Sequence, residues 1–403
     1  MQSILLISTI YPLPEGNHGT SVCHFFAREW VKMGYDVRVV HLQSTFPRFF
    51  YWLARFNRKR IAAKTGAVVY THRDNKEQHY TMDGVPVMRL PLYKMVPHGK
   101  YSASVVSKAV QSISSWMDEE GFVPDVMIGH FPNPQIEVLS QLKGIYPQAS
   151  TCMVMHGDVE MACRTYGERL HTLIKDIDMW GFRNKNVLSY FEKRIIKVNN
   201  PFMCYSGIPK EFIADRNSHV FNGPLKRFVY VGELIERKFP SVIVDALSVA
   251  YPDKDFQMVY VGEGQQRKEI VKKAEAYGLQ DCIKLLGRIP RDQILAEYDQ
   301  ADCMVMISKW EAYGLVYLEA MARGCITIAS KKEGFDGIIE DGVNGFLCKA
   351  GDAEELAAII HRINSMTAEE RQKVSEKAIE TAKRLTDEQA ARLYINSIME
   401  RME

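Results

Sequence analysis

Short apolar segments alternate with segments of helical periodicity along the whole chain. The strand candidates of the first half are residues 4–9, 36–42, 85–90, 126–129 and 151–156. Those of the second half are residues 227–231, 257–261, 283–285, 303–307 and 326–329. Helical patterns separate them, for example in residues 267–277 and 290–299. Nearly continuous apolar strands that alternate with helices predict parallel sheets with helices on both faces.

The length of 403 residues predicts two domains, because a single core rarely grows to that size. Two successive β-α series indicate that both are Rossmann-like. Turn-rich stretches at residues 199–201 and 215–225 place the join near residues 205–225. We therefore expect a first domain of residues 1–210 and a second of residues 211–385. The last helix, residues 386–403, is expected to pack back on the first domain.

Composition argues against a membrane-spanning protein and against a disulfide-rich secreted protein. The chain is 46% hydrophobic and 25% charged, with a net charge of +2, as in an ordinary globular protein. The apolar start lacks a basic leader, and no apolar run approaches the roughly 20 residues that span a bilayer. Eight scattered cysteines without a Cys-x-x-Cys pair predict free thiols in a reducing compartment. We expect a cytoplasmic protein whose membrane contact, if any, is peripheral at the inner face of the plasma membrane.

The most informative segment lies between residues 302 and 345. A buried strand ends near Ser308, and a helix over residues 315–322 follows and stops at Gly324. Gly314 then lies at a helix N-terminus and at the carboxyl end of a parallel strand, where free backbone N–H groups suit a diphosphate. Glu311 and Glu319 flank the same place, and their carboxylates can accept hydrogen bonds from sugar hydroxyls.

This segment resembles the signature of glycosyltransferase family 4, whose members are retaining enzymes with the GT-B fold, including bacterial enzymes of polysaccharide biosynthesis. The matching motifs are Ser308-x-x-Glu311-x-Tyr313-Gly314, Glu319-Ala320-Met321-Ala322-x-Gly324, Asp341-Gly342-x-Asn344-Gly345 and Val261-Gly262-Glu263-Gly264. The resemblance implies two Rossmann-like domains with parallel sheets that face a deep cleft. It also implies transfer of a hexosyl unit from a nucleotide diphosphate sugar to a saccharide acceptor.

By the same resemblance, Glu319 binds the ribose of the donor. Glu311 holds the sugar ring and the diphosphate, together with the backbone of Tyr313, Gly314 and Leu315. The base lies near Arg288 and Ile289. Gly262 and Gly264 fit either a turn that lines the cleft or a plain strand–helix turn.

One position departs from the family pattern. The family often has an arginine and a lysine after the first strand of this domain, both on the phosphates. Lys238 matches the lysine, whereas Glu233 replaces the arginine. A carboxylate beside a diphosphate is repulsive, so we expect Glu233 to point away and Arg237 to supply the second charge.

The first domain carries the acceptor-side candidates. The loop after the first strand resembles the family's glycine-bearing loop through Gly19 alone. His130 and His156 end two strands and resemble recurrent family histidines, the second in a His156-Gly157-Asp158 turn, so that His156 and Asp158 are expected near the acceptor. His130 is expected near both acceptor and donor sugar, and it joins Lys238 and Glu311 as a catalytic candidate.

The resemblance implies a front-face mechanism in which the leaving phosphate takes the proton of the acceptor. No cofactor and no metal are expected. Two Asp-x-Asp pairs, Asp176 with Asp178 and Asp253 with Asp255, lie away from the donor helix and are interpreted as solvated.

A segment rich in basic and aromatic residues indicates a possible further binding partner. Residues 37–73 contain eight Lys or Arg and no Asp or Glu, and aromatic residues cluster at residues 49–56. Residues 49–64 are typical of a segment that binds an anionic membrane, which would suit a lipid-linked saccharide acceptor. A basic helix packed on the domain is the alternative. No nucleic-acid motif accompanies the segment, so nucleic acid is not expected as a partner.

Two other functions use the same fold. A nucleotide-sugar epimerase or glycogen-type synthase would share the donor motifs. A non-catalytic protein that binds nucleotide sugars would share the fold, although it need not keep Lys238, Glu311, Glu319 and His130 together.

Overall fold

The computed structural model describes residues 2–14, 21–65, 75–97, 99–214 and 219–402, without the side chains of residues 57–65. The chain forms two compact units. The first comprises Met1–Arg183, Val187–Cys204 and Ala390–Glu403, and the second comprises Asn184–Asn186 and Tyr205–Gln389. The chain thus changes unit between residues 204 and 205, where the sequence suggested a boundary at residue 210.

Within its described residues, the first unit contains a sheet of eight strands. They are β1 (Ser3–Ser8), β2 (Asp36–Thr45), β3 (Gln78–Met82), β4 (Val85–Tyr93), β5 (Val126–His130), β6 (Ser150–Met155), β7 (Met179–Phe182) and β8 (Phe202–Met203). Their order is β3-β4-β2-β1-β5-β6-β7-β8. Adjacent strands are parallel except for the antiparallel hairpin of β3 and β4 at one edge. The order changes direction between β1 and β5.

Eight α-helices lie wholly or mostly in the described part of the first unit. They are α1 (Val22–Lys32), α2 (Arg48–Thr65), α3 (Ala103–Glu119), α4 (Pro132–Ile145), α5 (Val159–Tyr166), α6 (Leu170–Leu173), α7 (Lys185–Arg194) and α14 (Asp387–Met402). Helix α1 has an apolar face that is buried through Cys23, Phe26 and Trp30. Trp30 Nε1 donates to the carbonyl of Ala391 at 2.9 Å, so α14 is fixed to this unit by a buried hydrogen bond.

The second unit contains a parallel sheet of six strands in its described residues. They are β9 (Arg227–Val231), β10 (Gln257–Val261), β11 (Ile283–Gly287), β12 (Cys303–Val305), β13 (Ile326–Ser330) and β14 (Phe346–Cys348). Their order is β11-β10-β9-β12-β13-β14, so that the order reverses between β9 and β12. Counted within the unit this is 3-2-1-4-5-6, the strand order of a nucleotide-binding Rossmann fold.

The helices of the second unit join these strands. They are α8 (Pro240–Ala250), α9 (Arg267–Tyr277), α10 (Arg291–Gln300), α11 (Leu315–Ala322), α12 (Ala353–Ser365) and α13 (Ala368–Lys383). Helix α11 has the predicted bounds, and the residues after it bond back to its last turn, with Gly324 N donating to the carbonyl of Met321 at 3.0 Å. A capping box of Thr367 and Glu370 begins α13.

Each unit has its own hydrophobic core, which contains the inward faces of its strands and helices. All eight cysteines are free thiols, and six of them are buried. Two parallel-sheet α/β units with separate cores confirm the predicted fold class.

Candidate functional site

The topology of the second sheet indicates where a ligand binds. In open parallel sheets, ligands occupy the crevice at the carboxyl ends of the strands, where the strand order reverses. In this unit that point lies between β9 and β12. The loop after β9 carries Arg237 and Lys238, and the loop after β12 carries Glu311. The three predicted donor residues therefore follow the two strands that frame the crevice.

Two cations converge on one carboxylate oxygen there. Lys238 Nζ lies 3.4 Å from Oε2 of Glu311, and Arg237 Nη1 lies 3.8 Å from the same atom. The side chains of Lys238 and Glu311 are only 13% and 14% exposed. Oε2 of Glu311 has no hydrogen-bond partner closer than these ion pairs among the residues that the structure describes. A group of this kind can exchange one anionic partner for another, such as a phosphate.

The loop between β12 and α11 is held from both sides. Glu311 N donates to Oε2 of Glu333 at 2.8 Å, and burial raises the pKa of Glu333. Lys309 N donates to the carbonyl of Arg237 at 2.7 Å. Trp310 adopts a left-handed backbone (φ 56°), which is uncommon for a bulky residue, and its ring is 74% exposed. The contacts of its neighbours hold this conformation, which turns Glu311 toward the cations.

Gly314 is the residue before α11 and has a φ of 90°. A Cβ on this residue would lie 2.5 Å from the ring of Tyr317, so only glycine fits. Leu315 follows as the first helical residue, and the first N–H groups of α11 lack partners within the helix. Tyr313 is buried and donates its hydroxyl to the carbonyl of Ser206 at 2.7 Å. The helix N-terminus is thereby fixed beside Glu311.

Glu319 lies in the middle of α11 and is 7% exposed. Its Oε1 accepts a hydrogen bond from Arg291 Nη2 at 2.7 Å. Burial raises the pKa of Glu319, and the Arg291 guanidinium opposes that shift. Arg291 also lies over the ring of Phe212, at 4.3 Å. No sequence motif indicates Arg291, because nothing in the local pattern links it to a glutamate 28 residues later.

Glu233, which replaces the arginine of the family pattern, points toward Arg288 and away from Lys238, as expected. Glu233 is 61% exposed at its side chain, and its carboxylate lies 3.8 Å from Nη2 of Arg288. Arg288 is itself largely exposed, whereas Ile289 packs against the core of the unit. The predicted role of Arg288 and Ile289 beside the nucleotide base stays a prediction.

Gly262 and Gly264 are explained by close packing of two loops. A Cβ on Gly262 would lie 1.9 Å from the carbonyl oxygen of Gly232, and one on Gly264 would lie 2.2 Å from that of Leu234. Gly262 also has a φ of 141°. Leu234 N donates to the carbonyl of Glu263 at 2.9 Å, so the loops after β9 and β10 form one layer. These glycines position the loop that leads to Lys238.

The acceptor-side candidates lie at the carboxyl ends of β5 and β6 in the first unit. His130 is fully buried, and its Nδ1 lies 2.9 Å from Nε2 of His156. Its Nε2 lies 3.1 Å from the hydroxyl of Tyr394. Both ring nitrogens of His130 are thus occupied by protein groups. His156 is half-buried, which makes it the more accessible of the two histidines.

Burial also sets the charge of both histidines. It lowers the pKa of His130 to about 3, with a smaller contribution from the Arg183 guanidinium. Burial lowers the pKa of His156 well below its usual range as well, with His130 and Arg183 adding to the effect. Asp158, which precedes α5, is half-buried. Gly19 lies outside the described residues.

The two Asp-x-Asp pairs have structural partners. Asp178 accepts hydrogen bonds from the backbone and side chain of Thr151 and pairs with Lys143 at 2.9 Å. Asp255 pairs with Lys226 at 2.6 Å. Across the described ranges, the structure contains no group of three or more His, Cys, Asp or Glu side chains that could hold a metal ion.

Helix α2 has an apolar face that points to solvent. Phe49, Trp52, Leu53 and Phe56 share one helical face and are 61%, 62%, 41% and 73% exposed. Tyr51 and Ala54 on the opposite side are buried, and these four exposed residues are called the α2 stripe below. None of the helices in the described part of the chain is long and apolar enough to cross a membrane.

Comparisons with known proteins identify similar sequences and structures. Residues 211–381 match the model of the family "Glycosyl transferases group 1". The amylovoran biosynthesis glycosyltransferase AmsK of Erwinia amylovora is 26% identical over 374 residues, 86% of this chain and 87% of the relative. Other relatives match over a smaller part of this chain. The phosphatidyl-myo-inositol mannosyltransferase of Mycobacterium leprae is 35% identical over 136 residues, 33% of this chain and 35% of the relative.

Solved structures share the fold along the whole chain. HepE of Anabaena in complex with UDP superposes with a TM-score of 0.66 at 16% identity, covering 99% of this chain and 100% of that chain. Another structure of HepE holds UDP-glucose. Residues 211–381 are therefore similar to the glycosyl transferases group 1 family, and the chain has the GT-B fold of these solved structures.

Proposed function

We propose that this protein is a glycosyltransferase that moves a hexosyl unit from a nucleotide diphosphate sugar to a saccharide acceptor, with retention of anomeric configuration and without a metal ion. The observation that carries the proposal is the approach of Lys238 and Arg237 to Glu311 beside the N-terminus of α11. Both cations and the helix end supply positive charge, which a diphosphate needs, at the ligand-binding edge of the sheet.

The donor is assigned to groups of the second unit. Its diphosphate lies against Lys238, Arg237 and the first N–H groups of α11, where it replaces Glu311 as the partner of the two cations. Glu311 is then free to accept hydrogen bonds from hydroxyls of the hexose. Glu319 accepts hydrogen bonds from the ribose, since a buried carboxylate on this helix has one oxygen bound to Arg291 and a second for a ligand.

The transfer itself is a front-face substitution. The bond between the anomeric carbon and the phosphate oxygen breaks, and the acceptor oxygen forms a bond to the anomeric carbon on the same face. The proton of the acceptor hydroxyl moves to the departing phosphate. Lys238, Arg237 and the helix end stabilise the negative charge that develops there, and this is the largest contribution expected of the protein.

The acceptor is proposed to be a lipid-linked saccharide of cell-surface polysaccharide synthesis. AmsK, which matches over most of both chains, is by its name a glycosyltransferase of amylovoran biosynthesis. The α2 stripe supports the lipid part of the proposal, because exposed apolar rings beside cations are typical of helices that lie in a membrane interface. The enzyme would then act at the cytoplasmic face of the plasma membrane. His156 and Asp158 are proposed to contact the acceptor, and His130 lies behind them as the hydrogen-bond partner of His156.

Product analysis with a panel of nucleotide sugars tests the proposal. Melting temperatures identify the donor first, since a ligand of the folded state raises them. NMR of the product then gives its anomeric configuration. We expect the α or β configuration of the donor to be kept. An inverted product would contradict the proposed mechanism, and consumption of the donor without any acceptor would favour an epimerase.

A further inference from the structure

The first unit contains a chain of three hydrogen-bonding side chains that the donor site does not use. The hydroxyl of Tyr394 lies 3.1 Å from Nε2 of His130, and Nδ1 of His130 lies 2.9 Å from Nε2 of His156. Tyr394 and His130 are buried, and His156 is half-buried at the end of β6. The three residues, called the histidine relay below, connect α14 with the carboxyl ends of β5 and β6.

Aromatic rings surround the side chain of Tyr394 and hold it in one orientation. The rings of Phe26 and Trp30 meet its ring edge-on, with centroids 5.0 and 5.2 Å away. Trp30 also bonds to the backbone of Ala391, three residues before Tyr394 in the same helix. The packing therefore fixes the hydroxyl on Nε2 of His130.

The protonation states of the relay follow from burial. Both histidines are neutral near pH 7, because burial and the Arg183 guanidinium oppose a positive charge on either ring. A neutral imidazole has one N–H donor and one acceptor nitrogen. Each of the two hydrogen bonds in the relay then has a single direction, and the direction of the first bond determines that of the second.

The first bond runs from Tyr394 to His130. Among the residues that the structure describes, the Tyr394 hydroxyl bonds to His130 alone. If His130 donated instead, the tyrosine proton would be buried without an acceptor, which is costly. Tyr394 therefore donates to Nε2 of His130, and His130 carries its proton on Nδ1 and donates to Nε2 of His156. His156 is left with its proton on Nδ1.

His156 has no second hydrogen-bond partner within the described ranges, and its ring stacks on that of Phe131 with centroids 4.1 Å apart. We propose that Tyr394 is a positioning residue, which acts through His130 to hold His156 as the Nδ1–H tautomer, so that His156 donates a hydrogen bond to an oxygen atom of a bound saccharide. The saccharide part of this assignment rests on the proposed function. The tautomer part does not, because it follows from the geometry of the first unit alone. In this account His130 transmits a hydrogen bond and does not touch the substrate.

The tautomers can be read directly by NMR of protein labelled with 15N at histidine, in two-bond correlations between ring protons and ring nitrogens. The His156 signals are assigned with His156→Gln. We expect a protonated Nδ1 and an unprotonated Nε2 for His156 in the wild type. In Tyr394→Phe the proton donor is lost, and we expect the other tautomer of His156 to become populated. Tyr101→Phe is the matched control, since it removes another buried hydroxyl of this unit, 2.6 Å from Ser44 Oγ.

The functional part is tested with the same variants. Transfer to the acceptor should fall about fivefold to tenfold in Tyr394→Phe, the effect of one neutral hydrogen bond, with nucleotide affinity unchanged. It should be unchanged in Tyr101→Phe. A protonated Nε2 on His156 in the wild type, or a tautomer unaffected by Tyr394→Phe, would overturn the positioning role. Altered tautomers with undiminished transfer would overturn the role of His156 toward the saccharide. A wild type that transfers no sugar would refute the proposed function and leave the tautomer result standing.

Discussion

Lys238 Nζ lies 3.4 Å from Oε2 of Glu311, although the two residues follow different strands and are 73 positions apart. The contact exists because β9 and β12 are neighbours in the sheet, at the point where the strand order reverses. In the proposed donor complex, the phosphate competes with Glu311 for Lys238, and the released carboxylate becomes available to the sugar. If the donor binds in this way, the ion pair links binding of the diphosphate to binding of the hexose.

Glu319→Ala should weaken nucleotide binding by about 1.5–3 kcal/mol, which is the contribution of a hydrogen bond to a charged group. The residue is buried on α11 and keeps one oxygen on Arg291. Calorimetry with the nucleoside diphosphate measures the change. Glu275→Ala, which removes an exposed carboxylate from α9, is the control and should have no effect. An unchanged affinity in Glu319→Ala would exclude the ribose contact.

Replacing Phe49, Trp52 and Phe56 together by serine should abolish binding to anionic vesicles. The three rings are exposed on one face of α2, and their removal takes away the apolar area that would enter the interface. Vesicle flotation at low and moderate salt measures the effect, and nucleotide affinity should be unchanged. The matched control replaces Val123, Ile145 and Ile196, which are exposed apolar residues elsewhere on the first unit. A wild type that does not bind anionic vesicles at low salt would contradict the membrane proposal.

The buried histidines should make stability depend on pH. The folded-state pKa of His130 is lowered to about 3, so that between pH 6.5 and 3 the unfolded chain binds a proton that the folded chain does not. Stability is therefore complete above the unfolded pKa and falls as the pH drops below about 6.5. His130→Gln should reduce the loss between pH 7 and pH 5 by up to about 2 kcal/mol. Denaturant titrations at both pH values measure this.

The control for that experiment is His171→Gln, which replaces an exposed histidine of the same unit. Its loss of stability between the two pH values should equal that of the wild type. An equal loss in His130→Gln as well would mean that His130 is protonated in the folded protein.

The sequence predicted the strands of the second unit well because they are short apolar runs between clear turns. Strands β9 and β10 have the predicted bounds, and so does α11. It missed β3, whose residues alternate between half-buried and exposed at a sheet edge, and the short strands β7, β8 and β14. Local patterns are weak where a strand has only two to four residues, as in β7, β8 and β14, or pairs on one side alone, as in β3.

Two residues of the candidate sites were not predicted, for a different reason: each contacts a site residue that is distant in the sequence. Arg291 meets Glu319 across two helices, and Tyr394 meets His130 over 264 positions. Neither pair has a spacing that a local pattern could reveal, since tertiary packing alone brings them together. His130 illustrates the converse, because a strand-end histidine suggested a ligand contact, whereas the structure occupies both its nitrogens with protein groups.

Turnover in the presence of excess chelator tests the central claim that protein cations, and not a metal ion, stabilise the leaving diphosphate. The wild type should keep its full rate. Lys238→Ala should lose about tenfold to a hundredfold in kcat, as removal of a charge that stabilises the transition state does. Lys272→Ala, which removes an exposed cation of α9, should match the wild type. Loss of wild-type activity in chelator with recovery on addition of magnesium or manganese, or a normal rate in Lys238→Ala, would contradict the account.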